Sequence, residues 1–205
     1  MSSIAQHLLS INAIKLSPNH PFTWASGMLS PIYCDNRKAL SFPPTRSLIR
    51  DEFVAAAKKM QPFNMVAGVA TAGIPWGALI ADALDLPFIY VRDKPKSHGL
   101  SNRIEGDLRG NERVLVVEDL ISTGGSSLEA VEVLRTRGCS VAGVLAIFSY
   151  EFPVATARFA EAECPLLTLC GYAALLEQAV KIGYIQADTL DTLNAWRENP
   201  KEWAF

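Results

Sequence analysis

Apolar residues at Ile4, Leu8 and Ile11 have a helical spacing, which predicts a short helix over residues 2–13, broken by Pro18, His20 and Pro21. Residues 22–37 then read as two short extended segments joined by a turn at Ser26-Gly27. Ile49, Phe53, Ala56 and Met60 share one face of the next helix, which Pro43 and Pro44 precede and which Thr45 can cap. From there, short apolar runs alternate with helical patterns. Residues 65–70 and 86–91 predict strands, and between them lies a helix with Pro75 near its start. Residues 114–117 and 141–148 predict two more strands. The helix between these starts at Ser126, where Ser126 and Glu129 have capping-box spacing, and stops at Gly138. Helices over 153–162, 172–180 and from about Asp188 to before Pro200, with a short strand over 166–169, complete the chain. The alternation from Met65 to Phe148 predicts an α/β fold, a parallel sheet with right-handed crossovers and helices on both faces.

Composition narrows this picture slightly. A chain of 205 residues, 49% hydrophobic and 20% charged, is expected to form one globular domain. A net charge of -2 gives no general pull toward nucleic acid or an anionic membrane, so any anion must be bound by a local cluster. Cys34, Cys139, Cys164 and Cys170 have neither CxxC pairing nor zinc-finger spacing, which fits buried thiols in a reducing compartment. Residues 61–81 carry no charge and are long enough to span a bilayer, but Asn64, Gly68, Thr71, Gly73, Pro75 and Gly77 interrupt them. Strand, glycine loop and helix explain the run better. No signal peptide is visible, and a cytoplasmic location is expected.

Two stretches depart from the packing pattern. From Arg92 to Asn111 apolar periodicity disappears, and a connection of that length in a small domain is commonly a lid or binding loop. Elsewhere, Val114-Leu115-Val116-Val117 ends in adjacent acids, Glu118 and Asp119, followed by Leu120-Ile121-Ser122-Thr123-Gly124-Gly125-Ser126. A loop of backbone N–H groups before a helix suits a phosphate, and acids beside it suit sugar hydroxyls or a metal ion. Together they point to a sugar phosphate. The glycine spacing is not that of a dinucleotide fingerprint, nor does the run end in the Gly-Lys-Ser/Thr of a nucleoside triphosphatase loop.

Residues 114–126 resemble the phosphoribosyl pyrophosphate (PRPP) motif of type I phosphoribosyltransferases. Three further stretches are similar to the orotate phosphoribosyltransferases among them. These are Trp24-Ala25-Ser26-Gly27 through Ser30-Pro31-Ile32-Tyr33 with Asp35-Asn36-Arg37, the run Gly68-Val69-Ala70-Thr71-Ala72-Gly73-Ile74-Pro75, and Val91-Arg92 with Lys96, His98 and Gly99. The resemblance implies a Rossmann-like parallel sheet flanked by helices. A single domain would run over residues 1–205, with N- and C-terminal hood elements around a core at 45–170. It implies transfer of ribose 5-phosphate from PRPP to orotate, giving orotidine 5'-monophosphate in pyrimidine biosynthesis.

By the same resemblance, Glu118 and Asp119 hold the ribose hydroxyls. Leu120, Ile121, Ser122, Thr123, Gly124, Gly125 and Ser126 form the rest of the PRPP site, and Ser122 and Ser26 meet orotate. Arg92, Lys96 and His98 neutralise the pyrophosphate. They act with Asp119 as the catalytic set, and Mg²⁺ is carried mainly by PRPP rather than by protein ligands. The loop at 92–111 reaches the neighbouring site of a homodimer. The chain departs from many relatives at Asp93 and Ala72, where lysines are common. It also has Ser149 and Tyr150 where others place an arginine for the orotate carboxylate. A phosphoribosyltransferase for a purine, and a non-enzymatic PRPP-sensing regulator, are the alternatives.

Overall fold

In the computed structural model of the chain, residues 4–24, 26–94 and 103–203 are described. Helix α1 (Ile4–Ser10) is followed by four short strands, β1 (Ile14–Leu16), β2 (Phe22–Thr23), β3 (Leu29–Ser30) and β4 (Ile32–Cys34). The expected hairpin is β2 with β3, and its turn is closed by the Gly27 N–H on the Trp24 carbonyl oxygen at 2.8 Å. Two elements here were not foreseen. Strand β1 pairs antiparallel with β4, and a 3-10 turn covers Asn36–Ser41. Two- and three-residue strands leave no alternation long enough to read.

Helix α2 (Pro43–Ala57) starts at its prolines, and no side chain caps it. Thr45 is therefore not the cap. It lies buried within the first turn of the helix, where its hydroxyl meets His7 Nδ1 at 3.5 Å. Then come β5 (Met65–Val69), α3 (Gly73–Leu84), β6 (Phe88–Val91), β7 (Ile104–Glu105), β8 (Arg113–Ile121), α4 (Gly125–Thr136) and β9 (Ser140–Ser149). The chain continues through α5 (Pro153–Glu161), β10 (Leu166–Gly171), α6 (Tyr172–Lys181) and α7 (Leu190–Glu198).

The main sheet has the order β10-β9-β8-β5-β6-β7. Every pairing is parallel except β6 with β7, so the α/β expectation holds, with one antiparallel edge strand added inside the 92–111 stretch. Alternate residues of the buried strands feed two cores. Leu115 and Val117 pack with Ile49, Phe53, Trp76 and Ile80 of α2 and α3, whereas Val114 and Val116 pack with Val131 and Leu134 of α4 and Phe159 of α5. Helices thus cover both faces.

After β5 the chain moves outward to β6, but β8 lies on the other side of β5. The strand order therefore reverses between β5 and β8. Ligands of open α/β sheets bind outside the carboxyl ends of the strands at such a reversal. Here those ends carry Ala70-Thr71-Ala72 and the Glu118–Ser126 segment.

Candidate active site

Strand β8 is longer than its apolar run suggests. It continues through Glu118 and Asp119 to Ile121, so the acids sit within its last turns of pleat rather than beyond it. Pairing of Glu118 with Ala146 and of Leu120 with Phe148 on β9 carries the strand that far. Helix α3 is pressed against the same point. A Cβ on Gly73 would collide with the Val117 carbonyl oxygen, so glycine is what lets the β5–α3 turn approach the acid pair.

Helix α4 begins at Gly125 instead of Ser126, and no side chain caps it. The capping box is replaced by a left-handed Gly124 at φ +77°, where an added Cβ would lie 2.7 Å from Phe159 Cε2. Glycine adopts that φ without the steric cost other residues would meet. The N–H groups of Gly125, Ser126 and Ser127 have no intrahelical acceptor at such a start. They join a cleft of about 360 Å³ lined by Ala70, Thr71, Ala72, Glu118, Asp119, Leu120 and residues 122–127. Anions are favoured there by free donors and by the helix dipole.

The acid pair is unusual electrostatically. Burial pushes the Glu118 carboxyl up to about 9, and the neighbouring Asp119 charge adds to the effect. Asp119 is also raised, chiefly by burial, while Glu118 and the Arg37 guanidinium act in the opposite direction. Near neutral pH, Glu118 holds a proton in the ligand-free protein, so the pair can both donate and accept toward hydroxyls. The Asp119 N–H donates to Glu118 Oε1 at 3.0 Å. Asn36, fully buried, donates from Nδ2 to the Asp119 carbonyl oxygen at 2.8 Å and ties the N-terminal segment to the end of β8. Arg37 pairs with Asp35 at 2.7 Å. Asn36 belongs to the Asp35-Asn36-Arg37 run that carries the resemblance, but its contact with Asp119 was not foreseen, because an asparagine in a 3-10 turn looks like any polar turn residue.

The other candidates divide. Ser122, Thr123, Gly124, Gly125 and Ser126 line the cleft with the acids and Leu120, whereas Ile121 is fully buried and has only backbone to offer. Arg92 lies at the end of β6, beside Ala70, Ser126 and Glu129. Its Nη1 pairs with Glu105 at 3.4 Å. Arg103 braces it, since Arg92 N–H donates to the Arg103 carbonyl oxygen (2.7 Å), Arg103 Nε donates to the Arg92 carbonyl oxygen (2.8 Å), and Arg103 Nη2 reaches Glu129 of α4 (3.0 Å). Lys96 and His98 lie outside the described residues.

Ser122 and Ser26 do not line one cleft. Ser122 and Thr123 also border a second hollow of about 410 Å³, and Ser26 borders a third of about 560 Å³. Those two share Met28, Pro200 and Lys201, so a continuous groove leads from the phosphate loop to the β2–β3 hairpin. Behind it stands an aromatic cluster. Trp196 of α7 packs against Trp24, Tyr150, Phe152 and Tyr172 at centroid distances of 5.4–5.8 Å, and its Nε1 donates to the Leu29 carbonyl oxygen at 3.2 Å. Among the described residues, no group of three or more His, Cys, Asp or Glu side chains could hold a metal ion. No helix of the described residues is long and apolar enough to cross a membrane.

Residues 49–152 match the family model described as "Phosphoribosyl transferase domain". The chain is 54% identical over 200 residues to the orotate phosphoribosyltransferase of Bacteroides fragilis, covering 97% of this chain and 94% of that one. Among solved structures, orotate phosphoribosyltransferase from Aeropyrum pernix superposes with a TM-score of 0.77 at 31% identity, covering 89% of this chain and 99% of that one. UMP synthase of Leishmania donovani superposes with a TM-score of 0.78 at 26% identity, covering 95% of this chain but 41% of the longer one.

Proposed function

The chain belongs to the phosphoribosyl transferase family and, within it, to the orotate phosphoribosyltransferases, and from that membership we propose how its residues share the reaction. The enzyme transfers ribose 5-phosphate from PRPP to N1 of orotate, giving orotidine 5'-monophosphate and pyrophosphate. The bond from the anomeric carbon to the pyrophosphate oxygen breaks, and its electron pair leaves with the pyrophosphate. N1 supplies the pair for the new bond and gives up its proton to solvent, while positive charge builds up transiently in the ribose ring.

What supports this division of roles is one observation: the acid pair and the uncapped start of α4 line the same cleft at the sheet's reversal point. Backbone N–H groups of residues 122–126 hold the 5-phosphate, with the hydroxyls of Thr123 and Ser126. Glu118 and Asp119 hold the ribose hydroxyls, and the Asp119 charge faces the ring as it becomes electron-poor. Arg92 leaves Glu105 for the pyrophosphate, a charge-for-charge exchange, and Lys96 and His98 join it from the loop. Orotate lies in the groove between Ser122 and the Ser26 hairpin.

Mg²⁺ fits as an ion that arrives on PRPP. The described residues offer two adjacent carboxylates and no cage, which matches the way this ion is bound through one or two carboxylates and substrate phosphates. When bound, it would neutralise charge developing on the pyrophosphate. Four free cysteines favour a reducing compartment, in keeping with a cytoplasmic enzyme. A homodimer in which the 92–111 loop serves the neighbouring site completes the proposal.

The test is a panel of orotate, uracil, adenine and hypoxanthine with PRPP and Mg²⁺, following pyrophosphate release for every base and loss of orotate absorbance for orotate. Turnover of a purine without turnover of orotate would overturn the reading. For the shared site, inactive Lys96→Ala and Asp119→Ala proteins are mixed. Partial recovery is expected, and continued inactivity after proven subunit exchange refutes it.

A further inference from the structure

Orotate differs from uracil by a carboxylate on the carbon next to N1, the atom that forms the new bond. Holding it out of water requires a cation or several N–H donors. The hollow that shares Ser122 and Thr123 with the phosphate cleft is where such a group belongs. The end of β9 lies on the same rim but is consumed by packing. Ser149 is buried and accepts the Glu151 N–H at its Oγ (2.9 Å), and Tyr150 is 2% exposed among Trp24, Phe148, Phe152 and Trp196.

Two cations line the hollow, Arg158 of α5 and Lys201 beyond α7. Its acid, Glu198, is matched by Arg197 Nη2 at 2.6 Å, so it leaves the basic character of the hollow in place. Arg158 is the better placed cation. Its Nη1 donates to the Thr123 carbonyl oxygen at 3.2 Å, which orients the guanidinium beside Ser122 before any substrate arrives. A guanidinium has five N–H donors in a planar fork, so donors remain for a carboxylate. Met28, Phe152 and Val154 give the same hollow apolar walls suited to a flat ring.

We propose that Arg158 is a specificity-determining residue that holds the orotate carboxylate at the mouth of the phosphate loop. The inference rests on the activity stated above and goes beyond it by naming the group that selects orotate.

The experiment compares wild type, Arg158→Lys and Arg158→Ala, with orotate as substrate and orotamide, which carries a neutral carboxamide, as competitive inhibitor. Arg158→Ala is expected to lower kcat/KM for orotate by about 10- to 100-fold, as befits loss of a charge-assisted contact. Inhibition by orotamide and the KM for PRPP should stay within about twofold, and Arg158→Lys should recover part of the loss. Parallel weakening of orotate and orotamide, or a PRPP KM that rises with that of orotate, would make Arg158 a brace of the phosphate loop and overturn the proposal. Unchanged kinetics would overturn it as well. Failure of the wild type to turn over orotate would instead refute the activity itself.

Discussion

Glu118→Gln should make the ligand-free enzyme more stable and less active, and the gain in stability should grow with pH. Glu118 is 7% exposed, and its carboxyl is pushed up to about 9 by burial and by Asp119. In the unfolded chain it titrates near the ordinary value of 4.5. Below that value both states hold the proton and the acid contributes nothing pH-dependent. Above it the unfolded chain releases a proton that the folded chain keeps, so folding stability falls as pH rises toward 9. Each pH unit in this window costs about 1.4 kcal/mol, which comes to roughly 3 kcal/mol between the ordinary value and pH 7. Glutamine has the shape of the protonated acid without the titration. Thermal unfolding of both proteins at pH 5, 6, 7 and 8 should give nearly equal midpoints at pH 5. The variant should lead by about 6–12 °C at pH 7, since 1 kcal/mol moves a domain of this size by roughly 2–4 °C. Activity should fall at least about tenfold, because an amide, unlike a carboxyl, cannot give up its proton as the ribose hydroxyls bind and become a full hydrogen-bond acceptor for them. A gap that is the same at pH 5 and pH 8 would refute the buried, protonated state.

Three further outcomes follow from the geometry. Gly124→Ala places a side chain at φ +77° against Phe159, so it should cost about 1–3 kcal/mol in urea unfolding and raise the KM for PRPP at least about tenfold; an unchanged KM would mean the left-handed turn is not needed for phosphate binding. Arg103→Ala removes the bonds to the Arg92 carbonyl and Glu129, and hydrogen exchange should show the Arg92 amide losing protection while β8 and β9 keep theirs; uniform exchange across the sheet would contradict a local brace. Trp196→Ala empties the centre of the aromatic cluster and should cost about 3–5 kcal/mol, with the KM for orotate rising more than that for PRPP; equal rises would separate the cluster from the base site.

The parallel sheet was legible because its strands are buried on both faces and read as apolar runs of strand length, as Val114-Leu115-Val116-Val117 does. The acids stood out for the same reason, since charge next to such a run is costly unless used. What stayed hidden depends on partners distant in sequence. Ser126 has every local mark of a helix cap, yet the left-handed Gly124 stands at the cap position and the helix starts one residue earlier. Thr45 likewise loses its capping role because the prolines before it are already helical. Strand β7 is two residues long and exists through its ladder with β6, so no periodicity could announce it. Arg158 sits on an exposed helix face, where an arginine is ordinary, until the fold brings it to Thr123.

This asymmetry bears on how the two substrates are recognised. Ribose phosphate meets groups fixed by the sheet: the end of β8, the start of α4 and a glycine wedged at Val117. Gly73 and the apolar run of β8 are locked into the packing of the sheet, so the groups that meet the ribose phosphate stand at fixed places. The base meets a groove walled by the hairpin, the first turn of α5 and the segment after α7, all held together by the Trp196 cluster rather than by the sheet. Side chains facing that groove can be exchanged at little cost to folding, so the charge that selects a base is free to come from different elements in different chains. A tyrosine enclosed at the end of β9 and an arginine tethered to the phosphate loop are then one solution to a single electrostatic demand.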